Sequence, residues 1–276
     1  MDVSVEEEQL NYSLSSRREE DLRWKRTLDV LLILLALPFL LPLMVFVALL
    51  IRSVSAGPVL FRQERVGLKG RRFMCFKFRT MFVDADVTMH KGHLHQLMNS
   101  NTPMMKMDSK GDPRIIPFGV LLRASGLDEL PQLINVLRGE MSLVGPRPCL
   151  PYEYERYLPW QKERFGTVPG LTGLWQVSGK NKTTFVEMIQ LDIKYAKNKT
   201  IWWDLKIILM TIPALIVQML EARRIRKSPG HLAPPKPSYS NSTSVPYSFN
   251  KAPLIGAVHA SHGDDVWVRK GTKLNL

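Results

Sequence analysis

An uncharged apolar segment near the N-terminus constrains this chain more than any other feature. Residues 30–51 carry no charged side chain, and as a helix they measure about 33 Å, enough to cross the hydrocarbon core of a bilayer. The segment starts too far from residue 1, is too long, and lacks the small-residue cleavage site of a signal peptide. We therefore predict that it stays with the protein and associates it with a membrane.

The flanks of this segment and its prolines leave two topologies open. Basic residues, Arg26 and Arg52 among them, lie at both ends, and because positive residues stay on the cytoplasmic side this opposes a simple crossing. Pro38 and Pro42 each remove a helical hydrogen bond, which predicts a sharp bend. A helix that enters the bilayer, breaks at the prolines and returns to the same face satisfies both observations. A single span with two tolerated kinks is the alternative.

The charge is unevenly distributed along the chain. The net charge is +13, although acidic residues outnumber basic ones in residues 1–21, so the remainder is strongly basic and favours anionic partners such as a membrane or phosphorylated substrates. Aromatic residues are not interleaved with one basic stripe, so no nucleic-acid partner is predicted. We divide the chain into an acidic N-terminal arm (1–22), a re-entrant membrane helix (23–56), a catalytic domain (57–227) and a disordered Pro/Ser-rich tail (228–276).

Local patterns predict a mostly α fold with a small β-hairpin, an α+β class. Two alternating runs within residues 58–80 flank the turn-forming stretch 67–70, which is typical of a hairpin. Residues 84–112 are expected to form a helix and then a loop, and residues 117–220 a compact helical region. The last helix opens with Trp202 and Trp203 and ends in basic residues, which favours a helix at the membrane interface, with a buried core helix as the alternative.

The segment 123–148 is the richest in chemistry. Apolar residues recur with helical spacing at Leu130, Leu133, Ile134 and Leu137, which places Asp128 and Glu129 in the first turn of an amphipathic helix. Ser125 and Asp128 alone would be explained as a capping box. The basic residues of the neighbouring motifs instead favour a site that handles phosphate, with Mg²⁺ held by carboxylates and a substrate diphosphate. His90, His93 and His95 lack such surroundings and are expected on a solvated surface.

Five ordered motifs then make the chain recognisable. They are KFRTM (77–81), LDELPQL (127–133), MSLVGPRP (141–148), PGLTGLWQVSG (169–179) and DIKYAKN (192–198). With them the chain resembles the bacterial sugar transferases, the monotopic polyprenyl-phosphate phosphoglycosyltransferases, from about residue 23 to residue 218. The resemblance implies a small form without the N-terminal transmembrane bundle, a re-entrant helix that breaks at Pro38, and a catalytic domain on the cytoplasmic face of the bacterial inner membrane. Two positions depart from the family pattern: Leu37 and Gly126 stand where serine is usual.

The resemblance also implies a mechanism and a set of site residues. Asp128 would attack the sugar-linked phosphorus of a UDP-sugar, and polyprenyl (undecaprenyl) phosphate would then take the sugar phosphate from the aspartate, with Mg²⁺ at Asp128. Glu129 would act as a general base or orient the metal ligands. The substrate-binding candidates are Arg123 and Arg147, together with Pro146 and Pro148, which would fix the loop. Lys77 and Arg79 are further candidates, and for Lys77 a purely structural role is equally open.

Several properties remain undetermined at this level. The transferred sugar cannot be read from the sequence, and a homodimer is left open. A catalytically silent membrane scaffold is the alternative function, and a membrane-anchored nucleic-acid binder is a third. The intact pair of Asp128 and Glu129 beside Arg123 and Arg147 favours the enzyme, because a scaffold has no need of these side chains.

Overall fold

A computed structural model describes residues 3–83, 97–98, 100, 102–104, 112, 114–180 and 182–227, with side chains described from residue 23 to residue 223 of these. His90, His93, His95 and the tail over 228–276 lie outside the described residues. The helix and loop predicted over 84–112 are described at too few positions to be tested.

The apolar segment belongs to one long helix, α1 (Val3–Val54), with Pro38 and Pro42 inside it. The helical conformation continues through both prolines, although each proline removes the hydrogen bond to the carbonyl four residues before it. The sharp bend predicted at these prolines stays a prediction. The re-entrant topology stays a prediction.

The hairpin forms where the sequence predicts it. Strands β1 (Leu60–Val66) and β2 (Arg72–Phe78) are antiparallel, with Leu60 opposite Phe78. A single 3₁₀ turn (Leu68–Gly70) connects them, and Lys69 adopts a left-handed conformation within it. Flanking glycines at 67 and 70 give the backbone the freedom this tight connection needs.

The rest of the described chain is a series of short elements followed by two longer helices. In chain order they are α2 (Gly119–Ser125), a 3₁₀-helix (Leu127–Gln132), α3 (Leu133–Leu137), β3 (Ser142–Val144), α4 (Pro151–Tyr154), a second 3₁₀-helix (Pro159–Gly166), β4 (Gly170–Thr172), α5 (Leu174–Val177), α6 (Phe185–Asn198) and α7 (Ile201–Lys227). Strands β3 and β4 pair in parallel. The prediction of a mostly helical fold with a small β-hairpin is confirmed.

Both halves of α1 pack against the same body of the protein. Before the prolines, Ile33 joins a buried cluster with Cys75 and Leu133. After them, Ile51 joins a second cluster with Phe78. The short helices and the hairpin therefore lie along α1 on both sides of the proline pair.

Polar contacts fix the part of α1 just before its apolar segment to the rest of the protein. Lys25 forms a buried ion pair with Asp204 on α7, and its Nζ also donates to the Tyr195 hydroxyl on α6 at 2.8 Å. One turn later, the Asp29 carboxylate accepts from the backbone N–H of Leu143 at 3.0 Å. Burying charges is costly unless they are paired, so this pairing holds α1 and α7 in a defined relation.

The outer faces of α1 and α7 are apolar and exposed. Leu35 and Phe39 on α1 are 75% and 80% exposed, and Trp202 and Leu209 on α7 are 80% and 68% exposed. By length and composition both helices could cross a membrane. The buried-core alternative for the last helix is wrong, because α7 buries only a narrow stripe that includes Asp204 and Ile207.

Candidate active site

The acidic pair lies where α2 ends and the first 3₁₀-helix begins. Gly126 connects the two with a φ of 75°, a left-handed conformation that glycine adopts without steric cost. Asp128 and Glu129 follow in the first turn, and Asp128 is buried, with 8% of its surface exposed. The Ser125 hydroxyl donates backwards, to the carbonyl of Leu121 at 2.9 Å. Ser125 therefore closes α2 and does not cap the acidic turn, so the capping-box interpretation is wrong.

Lys77 is brought directly to this pair. Its Nζ lies 2.6 Å from the Glu129 Oε1, and both side chains are partly exposed. Lys77 comes from β2 and Glu129 from the 3₁₀-helix, so packing between the hairpin and the acidic turn creates the contact. The ammonium group fixes the direction of the Glu129 side chain through this charge-assisted contact.

Asn135 determines how the hairpin lies against the acidic segment, and sequence reasoning missed it. Its Oδ1 accepts from the backbone N–H of Phe76 at 3.0 Å, and its Nδ2 donates to the Met74 carbonyl at 2.7 Å. The fully buried amide thus satisfies backbone groups of β2 that a neighbouring strand would otherwise bond, one and three residues before Lys77. The sequence feature that could have identified it is a single polar residue among the apolar positions 133–137.

The loop that carries Arg147 is held through its carbonyl groups. The Pro146 carbonyl accepts from the Gly170 N–H at 2.9 Å, and the Pro148 carbonyl accepts from Arg65 at 3.2 Å. Arg164 donates to the Arg147 carbonyl at 2.8 Å. Because prolines have no N–H group, carbonyl bonding is how such a loop is fixed.

Arg147 also contacts a buried carboxylate that the sequence did not point out. Its guanidinium donates to Glu153 at 3.1 Å, and the Tyr157 hydroxyl donates to the same oxygen at 3.3 Å. Burial alone would raise the pKa of Glu153, but Arg147 and Arg65 outweigh it and lower that pKa. Glu153 is therefore ionised at neutral pH and holds the side chain of Arg147, which is 23% exposed.

A second buried pair lies behind this loop. Arg164 pairs with Asp192, and it donates to the Tyr157 hydroxyl at 2.7 Å. Burial raises the pKa of Asp192 to about 6, while Arg164 opposes that rise, so the carboxylate is charged at neutral pH. The network connects the loop of Arg147 to helix α6. Sequence reasoning quoted Asp192 only as part of a motif and did not identify Arg164.

The two remaining arginine candidates have identifiable structural contacts. The Arg79 guanidinium donates to the Pro58 carbonyl at 2.6 Å and to the Ser55 hydroxyl at 2.9 Å, and so joins the end of α1 to the hairpin. Arg123 ends α2, and its carbonyl accepts from Gln218 on α7 at 3.0 Å. Contact of either side chain with a substrate stays a prediction.

A large groove, which no sequence pattern predicted, opens beside the acidic turn. It has a volume of about 990 Å³ and lies between α1 and α7. Apolar residues of both helices form its walls, whereas Gly126, Glu129, Lys180 and Lys182 are among the residues at its polar margin. The candidate site thus adjoins an apolar space rather than open water alone.

The carboxylates fit the predicted Mg²⁺ only if a substrate completes its ligands. Within the described ranges, no group of three or more His, Cys, Asp or Glu side chains is placed to hold a metal. Mg²⁺ is commonly held by one or two carboxylates together with substrate phosphates. Asp128, with Glu129 beside it, matches that kind of site.

Comparison with known proteins places the chain in a family. The model of the bacterial sugar transferase family matches residues 20–218, and the chain belongs to this family.

Three relatives illustrate the match. The chain is 41% identical over 209 residues to the galactosyl transferase CpsE of Streptococcus agalactiae serotype III, covering 75% of this chain and 45% of that protein. It is 39% identical over 196 residues to the exopolysaccharide production protein ExoY of Sinorhizobium fredii, covering 69% and 84%. It is 42% identical over 204 residues to the UDP-glucose:undecaprenyl-phosphate glucose-1-phosphate transferase of Caulobacter vibrioides, covering 71% and 70%. The chain therefore spans less than half of the streptococcal relative and most of the other two.

Proposed function

We propose that this protein transfers a sugar phosphate from a UDP-sugar to undecaprenyl phosphate at the cytoplasmic face of the bacterial inner membrane. The observation that carries the proposal is the position of Asp128 and Glu129. They lie in one turn, with Lys77 paired to Glu129, at the edge of an apolar groove between two membrane-type helices. Relatives named as transferases from UDP-glucose to undecaprenyl phosphate support the choice of substrates.

The reaction takes place in two displacements at one phosphorus atom. The Asp128 carboxylate attacks the sugar-linked phosphorus, a bond forms between its oxygen and that phosphorus, and the bond to the bridging oxygen breaks so that UMP leaves. A phosphate oxygen of undecaprenyl phosphate then attacks the same phosphorus. The bond to Asp128 breaks, the carboxylate is restored, and a polyprenyl diphosphate sugar is formed.

The surrounding charges support this order of events. Glu129 is oriented by Lys77 and would accept a proton from the incoming phosphate. Arg147 is positioned by Glu153, its side chain is partly exposed, and it would bind the diphosphate. A bound Mg²⁺ would neutralise diphosphate charge.

The packing of α1 supports a monotopic arrangement. Residues before and after the proline pair contact the same body of the protein. A straight crossing would require that body to lie on both sides of the bilayer. A helix whose two ends stay on one side, with Leu35 and Phe39 towards the lipid, avoids this conflict.

The first test measures the two half-reactions separately with purified protein in detergent. UDP-sugars labelled at the β-phosphate are supplied without acceptor, and the label bound to protein is counted together with the UMP released. The wild type is expected to take up close to one label per active protein with one donor sugar. Asp128→Asn should take up none, and Glu163→Gln, which changes an exposed carboxylate, should behave as wild type.

Adding undecaprenyl phosphate should then move the label from protein to lipid. UMP release that persists in Asp128→Asn would refute the covalent role of Asp128. Absence of UMP release with every donor, from protein shown to be folded, would favour the catalytically silent scaffold.

A further inference from the structure

The groove between α1 and α7 has exposed apolar side chains along its walls. Leu35 and Phe39 of α1 and Ile212 and Val217 of α7 line the groove and are each more than half exposed. Exposed apolar side chains of this size normally face another apolar phase. Both helices are long and apolar enough to cross a membrane, so we expect the groove to open towards the lipid.

The inner end of the groove meets the acidic turn. Leu215 of α7 lies against Gly126, so close that a Cβ at Gly126 would be 3.2 Å from its Cδ2. Glu129 lines the same end. The groove therefore runs from the bilayer to the place where the sugar phosphate would be transferred.

The polar margin carries positive charge that suits a phosphate. Lys180 and Lys182 belong to the turn between α5 and α6 and line the groove. The Lys180 ammonium lies 5.9 Å from the centre of the Trp175 ring, which limits where it can move. Two carboxylates, Glu129 and Glu221, also line the groove, and Glu129 is paired with Lys77. An apolar channel with ammonium groups at its margin matches a lipid that has a phosphate at one end.

We propose that this groove holds the phosphate-proximal isoprene units of the acceptor, with Lys180 and Lys182 binding its phosphate at the end of the groove that Glu129 lines. This inference rests on the proposed function, because that function supplies the acceptor. A volume of about 990 Å³ is at the upper end of the roughly 300–1,000 Å³ of ligand sites. It accommodates the start of the chain, and the remainder leaves between the two helices into the bilayer.

The test is photo-crosslinking in lipid nanodiscs with a polyprenyl phosphate that carries a diazirine in its first isoprene unit. Crosslinks are expected on the groove-lining residues of α1 and α7, mapped by mass spectrometry. Undecaprenyl phosphate should compete with the probe, and phosphatidylglycerol should not. Equal competition by both lipids would overturn the proposal, since the groove would then be filled by ordinary bilayer lipid.

Matched variants on α7 locate the effect. Ala214→Trp fills the groove and should reduce crosslinking about 10-fold and raise the KM for the acceptor by a similar factor. Ile216→Trp lies on the same helix outside the groove lining and should do neither. If Ala214→Trp fails to fold, Ala36→Leu narrows the groove from the α1 side, and the same decrease in crosslinking and rise in KM are expected. Unchanged crosslinking in a folded groove variant would refute the proposal.

The lysines and the first half-reaction separate the possible failures. Lys182→Gln should raise the KM for the acceptor several-fold, whereas Lys197→Gln, which changes an exposed lysine on α6 outside the groove, should leave it at the wild-type value. If the wild type releases no UMP, the proposed function fails, whereas the crosslinking pattern still decides whether the groove binds polyprenyl phosphate. Crosslinks outside the groove would refute the inference even if the enzyme is active.

Discussion

The Asn135 amide offers the sharpest test of how the site is assembled. Asn135→Ala would leave two buried backbone groups without partners, the Phe76 N–H and the Met74 carbonyl, and would also remove a bond to Glu140 at 2.6 Å. An unsatisfied buried group costs about 1–3 kcal/mol. We expect a total loss of about 3–5 kcal/mol in the free energy of unfolding, or roughly 6–20 °C in the unfolding temperature.

The two cysteines of the chain provide the assay. Cys75 and Cys149 are free and only 2% and 0% exposed, so a thiol-reactive fluorescent dye labels the protein only as it unfolds. Cys75 lies on β2 between the two residues that Asn135 contacts. In Asn135→Ala it should be labelled before Cys149, which peptide mapping can show.

A matched variant controls for the loss of any asparagine. Asn198 donates to the Lys194 carbonyl at 2.9 Å from an exposed position, and Asn198→Ala should change stability by no more than about 0.5 kcal/mol. Equal unfolding temperatures for the two variants would refute the idea that Asn135 fixes the hairpin to the acidic segment. In that case the position of Lys77 would need another explanation.

Three further substitutions test the neighbouring contacts. Lys77→Ala should lower kcat at least about 10-fold, because it releases Glu129, the proposed general base. Lys197→Ala breaks an exposed ion pair of the same 2.6 Å length and should leave kcat unchanged; equal rates for the two variants would exclude a role for the Lys77–Glu129 pair. Glu153→Gln should cost about 3 kcal/mol at pH 7. The pKa of Glu153 is lowered in the folded state, so its stabilising effect is present above about pH 4.5 and disappears as the pH falls further. The difference in unfolding temperature between wild type and Glu153→Gln should therefore narrow at low pH, and a constant difference would contradict this. Gly126→Ala should lower the free energy of unfolding by about 1–2 kcal/mol, because the backbone there is left-handed. Gly139 has a similar φ but nothing within 4 Å of an added Cβ, so Gly139→Ala should cost less; the reverse order would show that packing at position 126 is irrelevant.

Local sequence patterns were sufficient for features that depend on neighbouring residues. The alternation of residues 58–80 predicted the hairpin, and the apolar spacing after Asp128 predicted an acidic first turn. The helix through 30–51 also followed from its composition. Such features depend on backbone periodicity and burial, which are encoded within a few residues.

A local pattern failed where the backbone within the motif took an unexpected conformation. The Ser125–Asp128 spacing matched a capping box, but Gly126 between them is left-handed, and the Ser125 hydroxyl donates back to the Leu121 carbonyl in α2. The spacing of two residue types does not record the backbone conformation of the residues between them. The bend at Pro38 and Pro42 stays a prediction, since α1 is helical through both positions.

Sequence motifs were enough to recognise the class of the protein, because the acidic pair, the basic residues near it and the apolar helix can each be identified one motif at a time. The contacts of those residues followed only from the three-dimensional fold. The Lys77–Glu129 pair joins residues 52 positions apart, and the Lys25–Asp204 pair joins residues 179 apart. The groove likewise exists only because α1 and α7, at opposite ends of the described chain, lie side by side. The energy of such contacts depends on burial and geometry in three dimensions, and no local pattern records the separation of groups so far apart in the chain.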